Sequence, residues 1–196
     1  KPRNIIAVIN DSDLNLDLKK ISNSGSPKIL IAGCGTGQHA ITTASKYKKS
    51  KILAVDLSFK SLSYAKRKAN ELKINNIDFI QGDILDLKSI DKKFDIIESV
   101  GVLHHMNNPF KGWEILTSCL NNDSLMLIGL YSEKARQHII QIKNKINKLK
   151  LKSNYKNIIK FRKDLIKNNS DQWNLIKSSP DFYTVSGVRD LLFHAQ

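Results

Sequence analysis

The sequence has little cysteine, proline or tryptophan, and it has no long apolar run. Its 196 residues include two cysteines, four prolines and two tryptophans. The cysteines, Cys34 and Cys119, are too few for a disulfide framework and have no CxxC spacing, so we expect a reducing, cytoplasmic location. The cysteines and histidines also lack the spacing of a metal site. The longest apolar run, Leu125–Tyr131, is much shorter than the ~20 residues of a transmembrane helix, which predicts no membrane-spanning segment.

Positive charge exceeds negative charge, but the excess is concentrated in one segment. The formal net charge is +14, and residues 134–177 hold 13 Lys and Arg against two Asp. Nucleic acid is one partner that such a segment suggests. However, only Arg136 and Arg162 supply the planar guanidinium that phosphate recognition favours, and isoleucines recur at helical spacing. We therefore expect lysine-covered helices packed on an apolar stripe, and a nucleic-acid partner is the weaker alternative.

Short apolar runs alternate with helical patterns between residues 28 and 131. Five runs predict buried strands, at residues 28–32, 52–55, 77–80, 94–97 and 125–130. Between them, apolar residues recur every three or four positions, which predicts amphipathic helices. This alternation is typical of βαβ units and predicts an α/β fold with a Rossmann-like, doubly wound parallel sheet.

Two segments flank this predicted core of residues 28–131. Residues 1–27 are polar, and we interpret them as a short helix followed by a linker that ends at Pro27. Residues 132–196 contain helical stripes and no clear strand after the fifth, which predicts a basic helical segment. We therefore expect an N-terminal helix and linker, a Rossmann-like core and a helical C-terminal segment.

A glycine-rich loop, Gly33-Cys-Gly-Thr-Gly37, follows the first predicted strand. Glycines allow the backbone to approach a ligand closely, and the amides of the following helix then face that ligand. Asp56 ends the second predicted strand, 19 residues after Gly37, where a carboxylate can accept both hydroxyls of a ribose. Asp83 follows the third strand at the same edge of the sheet. Together these residues predict a site for a nucleoside-containing cofactor.

Two cofactors fit this pattern. Read from Gly35, the loop is Gly-x-Gly-x-x-Ala, the dinucleotide fingerprint of an NAD(P)-dependent oxidoreductase. Read from Gly33, it is Gly-x-Gly-x-Gly, and further motifs follow as ILAVDLS at 52–58, FIQGDIL at 79–85 and FDIIESVGVLHHM at 94–106. In order and spacing, this set resembles the class I S-adenosylmethionine (SAM) methyltransferases. The resemblance favours SAM as the cofactor and implies methyl transfer as the activity.

The resemblance also implies which residues bind SAM: Gly33, Gly35, Gly37, Asp56, Leu57, Asp83, Ile84 and Val100. The three glycines would pack against the methionine part, and the Val100 backbone would contact its ammonium group. Asp56 would hold the ribose hydroxyls, and Leu57 would cover one face of the adenine. Asp83 would accept from the adenine amino group, while the Ile84 backbone reads the ring edge. The family often has an acidic residue two positions before the first glycine, where this chain has Ile31.

Four residues lie at or just beyond the ends of strands four and five, at the expected acceptor site: Glu98, His104, His105 and Tyr131. A side chain there could act as a base for an oxygen or nitrogen acceptor, so His104, His105 and Tyr131 are the catalytic candidates. We expect a small-molecule acceptor. Methyl transfer depends mainly on proximity and orientation, so a binding module without turnover stays open as an alternative.

The resemblance to class I SAM methyltransferases implies two expectations about the remainder of the chain. It implies seven strands, whereas this chain supplies five, so we expect a truncated sheet with the fifth strand at its edge and a fold that continues beyond the chain end. The run Gly129-Leu-Tyr-Ser-Glu-Lys-Ala-Arg136 resembles a bacterial subgroup that is often attached to tetratricopeptide repeats. An attached repeat domain is therefore a further expectation.

Overall fold

A computed structural model gives the fold of residues 25–132, 134–168 and 171–193. The chain divides into two compact units, Lys1–Leu130 and Tyr131–Gln196. The helix predicted within residues 1–27 lies outside the described residues, apart from the last three positions of that segment.

The first unit contains a sheet of five parallel strands. They are β1 (Lys28–Ala32), β2 (Lys51–Asp56), β3 (Ile77–Gln81), β4 (Phe94–Val100) and β5 (Leu120–Gly129). Their order in the sheet is β3-β2-β1-β4-β5, which confirms the predicted doubly wound fold. β5 begins earlier than predicted, because Leu120 already pairs with Phe94 before an irregularity in the register.

Three helices of the first unit cover the two faces of this sheet. They are α1 (Gln38–Lys46), α2 (Phe59–Glu71) and α3 (Pro109–Ser118), with 3-10 turns at Ile84–Ser89 and Leu103–His105. The starts of α2 and α3 follow from their capping residues. Ser58 Oγ accepts from the Ser61 amide, and Asn108 Oδ1 accepts from the Lys111 amide, with Pro109 in the first turn.

The core of the first unit has two layers, one on each face of the sheet. Alternate residues of β1 show the division, since Ile29 and Ile31 pack with α1 and α2. Leu30 packs on the other face with α3 and the Ile84–Ser89 turn. Because all strands run in the same direction, the loops that follow β1, β2, β3 and β4 meet at one edge of the sheet.

β5 lies at one edge of the sheet, as predicted. Among the described residues it pairs with β4 alone. Its side chains are only partly covered, and Leu127 is 51% exposed. The other side of the strand therefore has no neighbouring strand within the described part of the chain, and it borders a partly apolar surface.

The second unit is helical and has its own apolar core. Its helices are α4 (Gln137–Lys148), α5 (Tyr155–Lys167), α6 (Asp171–Ile176) and α7 (Val185–Val188), and Arg189–Phe193 forms a π-helical turn. The isoleucine stripe is buried, as Ile142 and Ile158 show, whereas Lys156 and Lys160 are exposed. None of the described helices in either unit has the length and apolarity that a membrane crossing requires.

We expect Ile97→Ala to lower the free energy of unfolding by about 2–5 kcal/mol, because it leaves a cavity in the centre of the sheet. The Ile97 side chain is fully buried, in the core layer that also contains Leu30 and Leu116. Urea denaturation followed by circular dichroism measures the change. Phe110→Ala is the control, since that side chain is 78% exposed. It should change stability by less than about 0.5 kcal/mol, and equal losses in both variants would contradict this account of the core.

Candidate functional site

A cavity of about 420 Å³ opens at the carboxyl ends of the strands in the first unit. Its walls come from the segments that follow β1, β2, β3 and β4. They bring together six of the residues singled out from the sequence: Gly33, Asp56, Leu57, Asp83, Ile84 and His105. Gly35, Gly37, Val100, His104 and Tyr131 do not line it. The cavity therefore coincides with the position where parallel sheets bind nucleotides.

The loop of residues 33–37 is tied to the end of β2. The amides of Gly33 and Cys34 both donate to the Val55 carbonyl, at 2.8 and 3.0 Å. Gly37 has φ +84°, and a Cβ there would lie 2.5 Å from Cβ of Ala65 in α2, so this glycine is needed for helix packing. Gly35 has φ +52°, and a Cβ there would meet no described atom within 4 Å. The space beside Gly35 is therefore open to a ligand.

Asp56 connects this loop to the second strand. Its Oδ2 accepts a hydrogen bond from the Gly35 amide at 2.7 Å, and its Oδ1 accepts from the Ser58 amide at 2.9 Å. The next residue, Leu57, is 66% exposed and also lines the cavity. Gln81 Nε2 donates to the Leu57 carbonyl at 3.0 Å, which holds this segment against β3. A backbone amide thus holds each oxygen of the Asp56 carboxylate in position.

The segment after β3 forms the neighbouring wall. Asp83 Oδ1 accepts from the Leu85 amide at 2.9 Å and so caps the 3-10 turn that follows. Ile84 is buried, and both residues line the cavity. One oxygen of Asp83 therefore has a structural role, while the residue also faces the space that a ligand would fill.

The two histidines after β4 have different surroundings. His105 is exposed and lines the cavity, whereas His104 is half-buried and does not. Their ring centroids are 4.2 Å apart. Tyr131 belongs to the second unit, where the Arg136 guanidinium stacks on its ring at 3.2 Å. Of the three catalytic candidates, His105 alone lies on the cavity wall.

Sequence reasoning missed several residues of this wall: Val102, Met106, Asn107, Asn108 and Lys111. They follow β4 and lead into the first turn of α3. Asn108 and Pro109 are the available signal, because together they place the start of a helix at the carboxyl edge of the sheet.

A second polar cluster joins β4 to α1. Glu98 Oε2 lies 2.8 Å from His39 Nε2 and accepts from Thr43 Oγ1 at 3.0 Å. The bond to Glu98 raises the pKa of His39, against a smaller opposing effect of burial. The sequence placed Glu98 at the acceptor site, but its side chain instead contacts α1. His39 was missed, although a carboxylate within a buried strand indicates that a partner must lie nearby.

The glycine loop also contains Cys34, which is buried. Burial raises the pKa of its thiol to about 12, and the nearby Asp56 adds to the effect. The thiol is therefore protonated at neutral pH and is a poor nucleophile. Among the residues that the structure describes, no cluster of three or more His, Cys, Asp or Glu could hold a metal ion.

Comparison with known sequences identifies relatives of this chain. The profile of the methyltransferase domain family matches residues 24–177. An uncharacterised protein of Synechococcus sp. is 34% identical over 123 residues, which cover 62% of this chain and 30% of that protein. The (S)-tetrahydroprotoberberine N-methyltransferase of Eschscholzia californica is 29% identical over 110 residues, with 56% of this chain and 31% of that protein covered. The chain spans about 30% of the length of these relatives.

Solved structures share this fold. A SAM-dependent methyltransferase from Clostridium acetobutylicum superimposes with a TM-score of 0.52 and 22% identity, and covers 68% of this chain and 60% of its own. PKMT2 of Rickettsia typhi, in complex with AdoHcy, gives a TM-score of 0.67 at 25% identity, over 88% of this chain and 36% of its own. The family inferred from the motifs is thereby confirmed: the chain belongs to the methyltransferase domain family and has the class I SAM-dependent methyltransferase fold.

Proposed function

We propose that this domain transfers the methyl group of SAM to a small-molecule acceptor, with the cavity after β1–β4 as the cofactor site. The observation that carries the proposal is the wall formed by the glycine loop, Asp56 and Asp83. AdoHcy is bound in the Rickettsia typhi neighbour, and the matching family is one of methyltransferases. Both findings favour SAM over the nicotinamide cofactor that the glycine pattern alone left open.

The residues present fit such a cofactor. Each Asp56 oxygen accepts one backbone amide and keeps a second lone pair, so the carboxylate can accept two ribose hydroxyls. Leu57 offers apolar surface for an adenine, beside Asp83 as an acceptor for its amino group and the Ile84 backbone for the ring edge. The open space at Gly35 and the loop that contains it are available to the methionine part. We assign Gly33, Gly37 and the Val100 backbone to the same part.

The chain contributes mainly position to the reaction. When bound, SAM supplies an electrophilic methyl group on a positively charged sulfur. Holding the acceptor in line with that methyl group is worth roughly 7–11 kcal/mol of the barrier. His105 on the cavity wall is the best placed candidate to take a proton from an oxygen or nitrogen acceptor, and His104 packs against it. A strong catalytic cluster is not needed for this chemistry.

A small-molecule acceptor is supported by the names of two relatives, (S)-tetrahydroprotoberberine N-methyltransferase and (S)-coclaurine N-methyltransferase. A release factor glutamine methyltransferase also matches, so a protein acceptor is the alternative that a test must separate. Incubation with methyl-labelled SAM and a cell extract, followed by size fractionation, does so. Label in the small-molecule fraction supports the proposal, whereas label only in protein or nucleic acid contradicts it. SAM binding without any labelled product would identify a binding module.

Four earlier expectations stay predictions. The basic surface of the second unit is expected to be solvated and to bind nucleic acid weakly and without sequence preference. An attached repeat domain and a cytoplasmic location are likewise untested. The three-part division of the chain, at residues 27 and 131, also stays a prediction.

We expect Asp56→Ala to weaken S-adenosylhomocysteine binding about 10- to 150-fold, because a hydrogen bond to a charged group contributes roughly 1.5–3 kcal/mol. Isothermal titration calorimetry measures the change. The substitution also releases the Gly35 amide, which adds to the loss.

Asp78→Ala is the matched control, since Asp78 is an exposed aspartate on the adjacent strand β3 and lies outside the cavity. The affinity of this variant for S-adenosylhomocysteine should equal that of the wild type. Wild-type protein that binds NAD and not S-adenosylhomocysteine would overturn the proposed cofactor.

We expect His105→Asn to lower the rate of methyl transfer about 10²- to 10⁴-fold with an acceptor that must lose a proton, because the substitution removes the base. Affinity for S-adenosylhomocysteine should change little. His104→Asn should retain more activity, since His104 does not line the cavity. Product formation with the labelled acceptor gives the rates. Unchanged turnover in His105→Asn would show that another group accepts the proton.

A further inference from the structure

The first unit contains a polar pair that the cavity does not include. Glu98 lies in β4, two residues before the strand ends, and its side chain is 12% exposed. His39 is the second residue of α1 and follows Gly37 by two positions. The 2.8 Å contact between them therefore places a carboxylate where the glycine loop enters its helix.

One oxygen of this carboxylate is available. Glu98 makes both of its described contacts through Oε2, which accepts from Thr43 Oγ1 and lies 2.8 Å from His39 Nε2. Among the described residues, Oε1 has no hydrogen-bond partner, and it is not among the fully buried polar atoms that lack one. An accessible carboxylate oxygen keeps its lone pairs for water or for a donor on a ligand. The arrangement therefore leaves room for one further ligand atom.

The strand order gives the direction from which that atom would come. β2 and β3 lie on one side of β1, and β4 lies on the other. Asp56 and Asp83, on the β2–β3 side, form the nucleoside end of the proposed site. A ligand that crosses the glycine loop from there reaches β4, where Val102 packs against Gly33. Glu98 precedes Val102 by four residues and lies beside Ile31 in the register.

We propose that Glu98 accepts the ammonium group at the amino-acid end of SAM, and that His39 and Thr43 hold its carboxylate in position. This inference rests on the proposed function. A carboxylate is the group that a primary ammonium pairs with most strongly. Two hydrogen bonds to Oε2 fix the carboxylate, and Oε1 stays available to the ligand. The contact with Glu98 also raises the pKa of His39, which agrees with the 2.8 Å separation of the two side chains.

A purely structural role of Glu98 predicts a different pattern of affinity losses when the residue is replaced. If Glu98 only fastened α1 to β4, its removal would displace the glycine loop and weaken every ligand of the cavity. If it binds the ammonium group, its removal affects only ligands that carry that group. S-Adenosylhomocysteine has the amino-acid end, whereas 5′-methylthioadenosine has the same nucleoside without it. The ratio of the two affinities is also independent of moderate losses of stability, because both ligands bind the folded protein.

The test is calorimetric titration of the wild type, Glu98→Gln and Thr43→Val with both ligands. Glutamine keeps the shape and the hydrogen bonds of the side chain but removes its charge. We expect Glu98→Gln to weaken S-adenosylhomocysteine about 10- to 150-fold and to change methylthioadenosine less than about threefold. Thr43→Val removes one bond to Oε2 and keeps the charge, so it should alter the ratio only slightly.

The outcomes separate this inference from the proposed function. Equal losses for both ligands in Glu98→Gln, or no loss for either, would overturn the role of Glu98 and leave the cofactor site standing. Wild-type protein that binds neither nucleoside would overturn both. A proton NMR titration of His39 gives an independent reading, since its pKa should fall in Glu98→Gln and change again when S-adenosylhomocysteine binds to the wild type. A His39 pKa that stays the same when S-adenosylhomocysteine binds would contradict the inference.

Discussion

The hydrogen bond between the Gly35 amide and Asp56 Oδ2 is the contact on which the site depends. It joins the loop after β1 to the end of β2 at 2.7 Å, and the Ser58 amide holds the other oxygen. Because the acceptor is charged, each such bond is worth more than a neutral one. The same carboxylate is the proposed partner of the ribose. In this proposal, one aspartate both shapes the cavity and recognises its ligand.

The parallel register of β1 and β4 also explains how a carboxylate on β4 can take the place of an acidic residue that β1 lacks. The related methyltransferases often have an acidic residue at the position of Ile31, which here packs in the apolar layer with α1. Parallel pairing places Glu98 directly beside Ile31, and paired residues of adjacent strands lie on the same face of the sheet. The acidic group thus lies on β4, the neighbouring strand, where its Oε2 contacts His39 and accepts a hydrogen bond from Thr43.

Periodicity predicted the first three strands to within one residue at each end, because each is an apolar run with a polar turn or glycine after it. β4 continues three residues beyond the predicted end at Ile97, since polar residues 98 and 99 interrupt the apolar run. Periodicity misplaced the start of β5, since Asn121, Asn122 and Asp123 indicate a turn. In the structure that stretch still belongs to the strand, with an irregular register and Asp123 at φ +56°. The Asp56 and Asp83 positions were predictable from strand ends. The His39–Glu98 contact was not, because it joins residues 59 positions apart that no periodic pattern relates.

The same contact makes the attachment of α1 dependent on pH. The pKa of His39 is raised above 6.5 in the folded chain by its bond to Glu98. The pair therefore contributes its full stability below the ordinary histidine pKa and loses that contribution as the pH rises through the raised value. At alkaline pH the neutral imidazole no longer balances the Glu98 charge, and in this proposal the ammonium group of the ligand supplies the positive charge instead. Cofactor binding and protonation of His39 are consequently linked through one carboxylate.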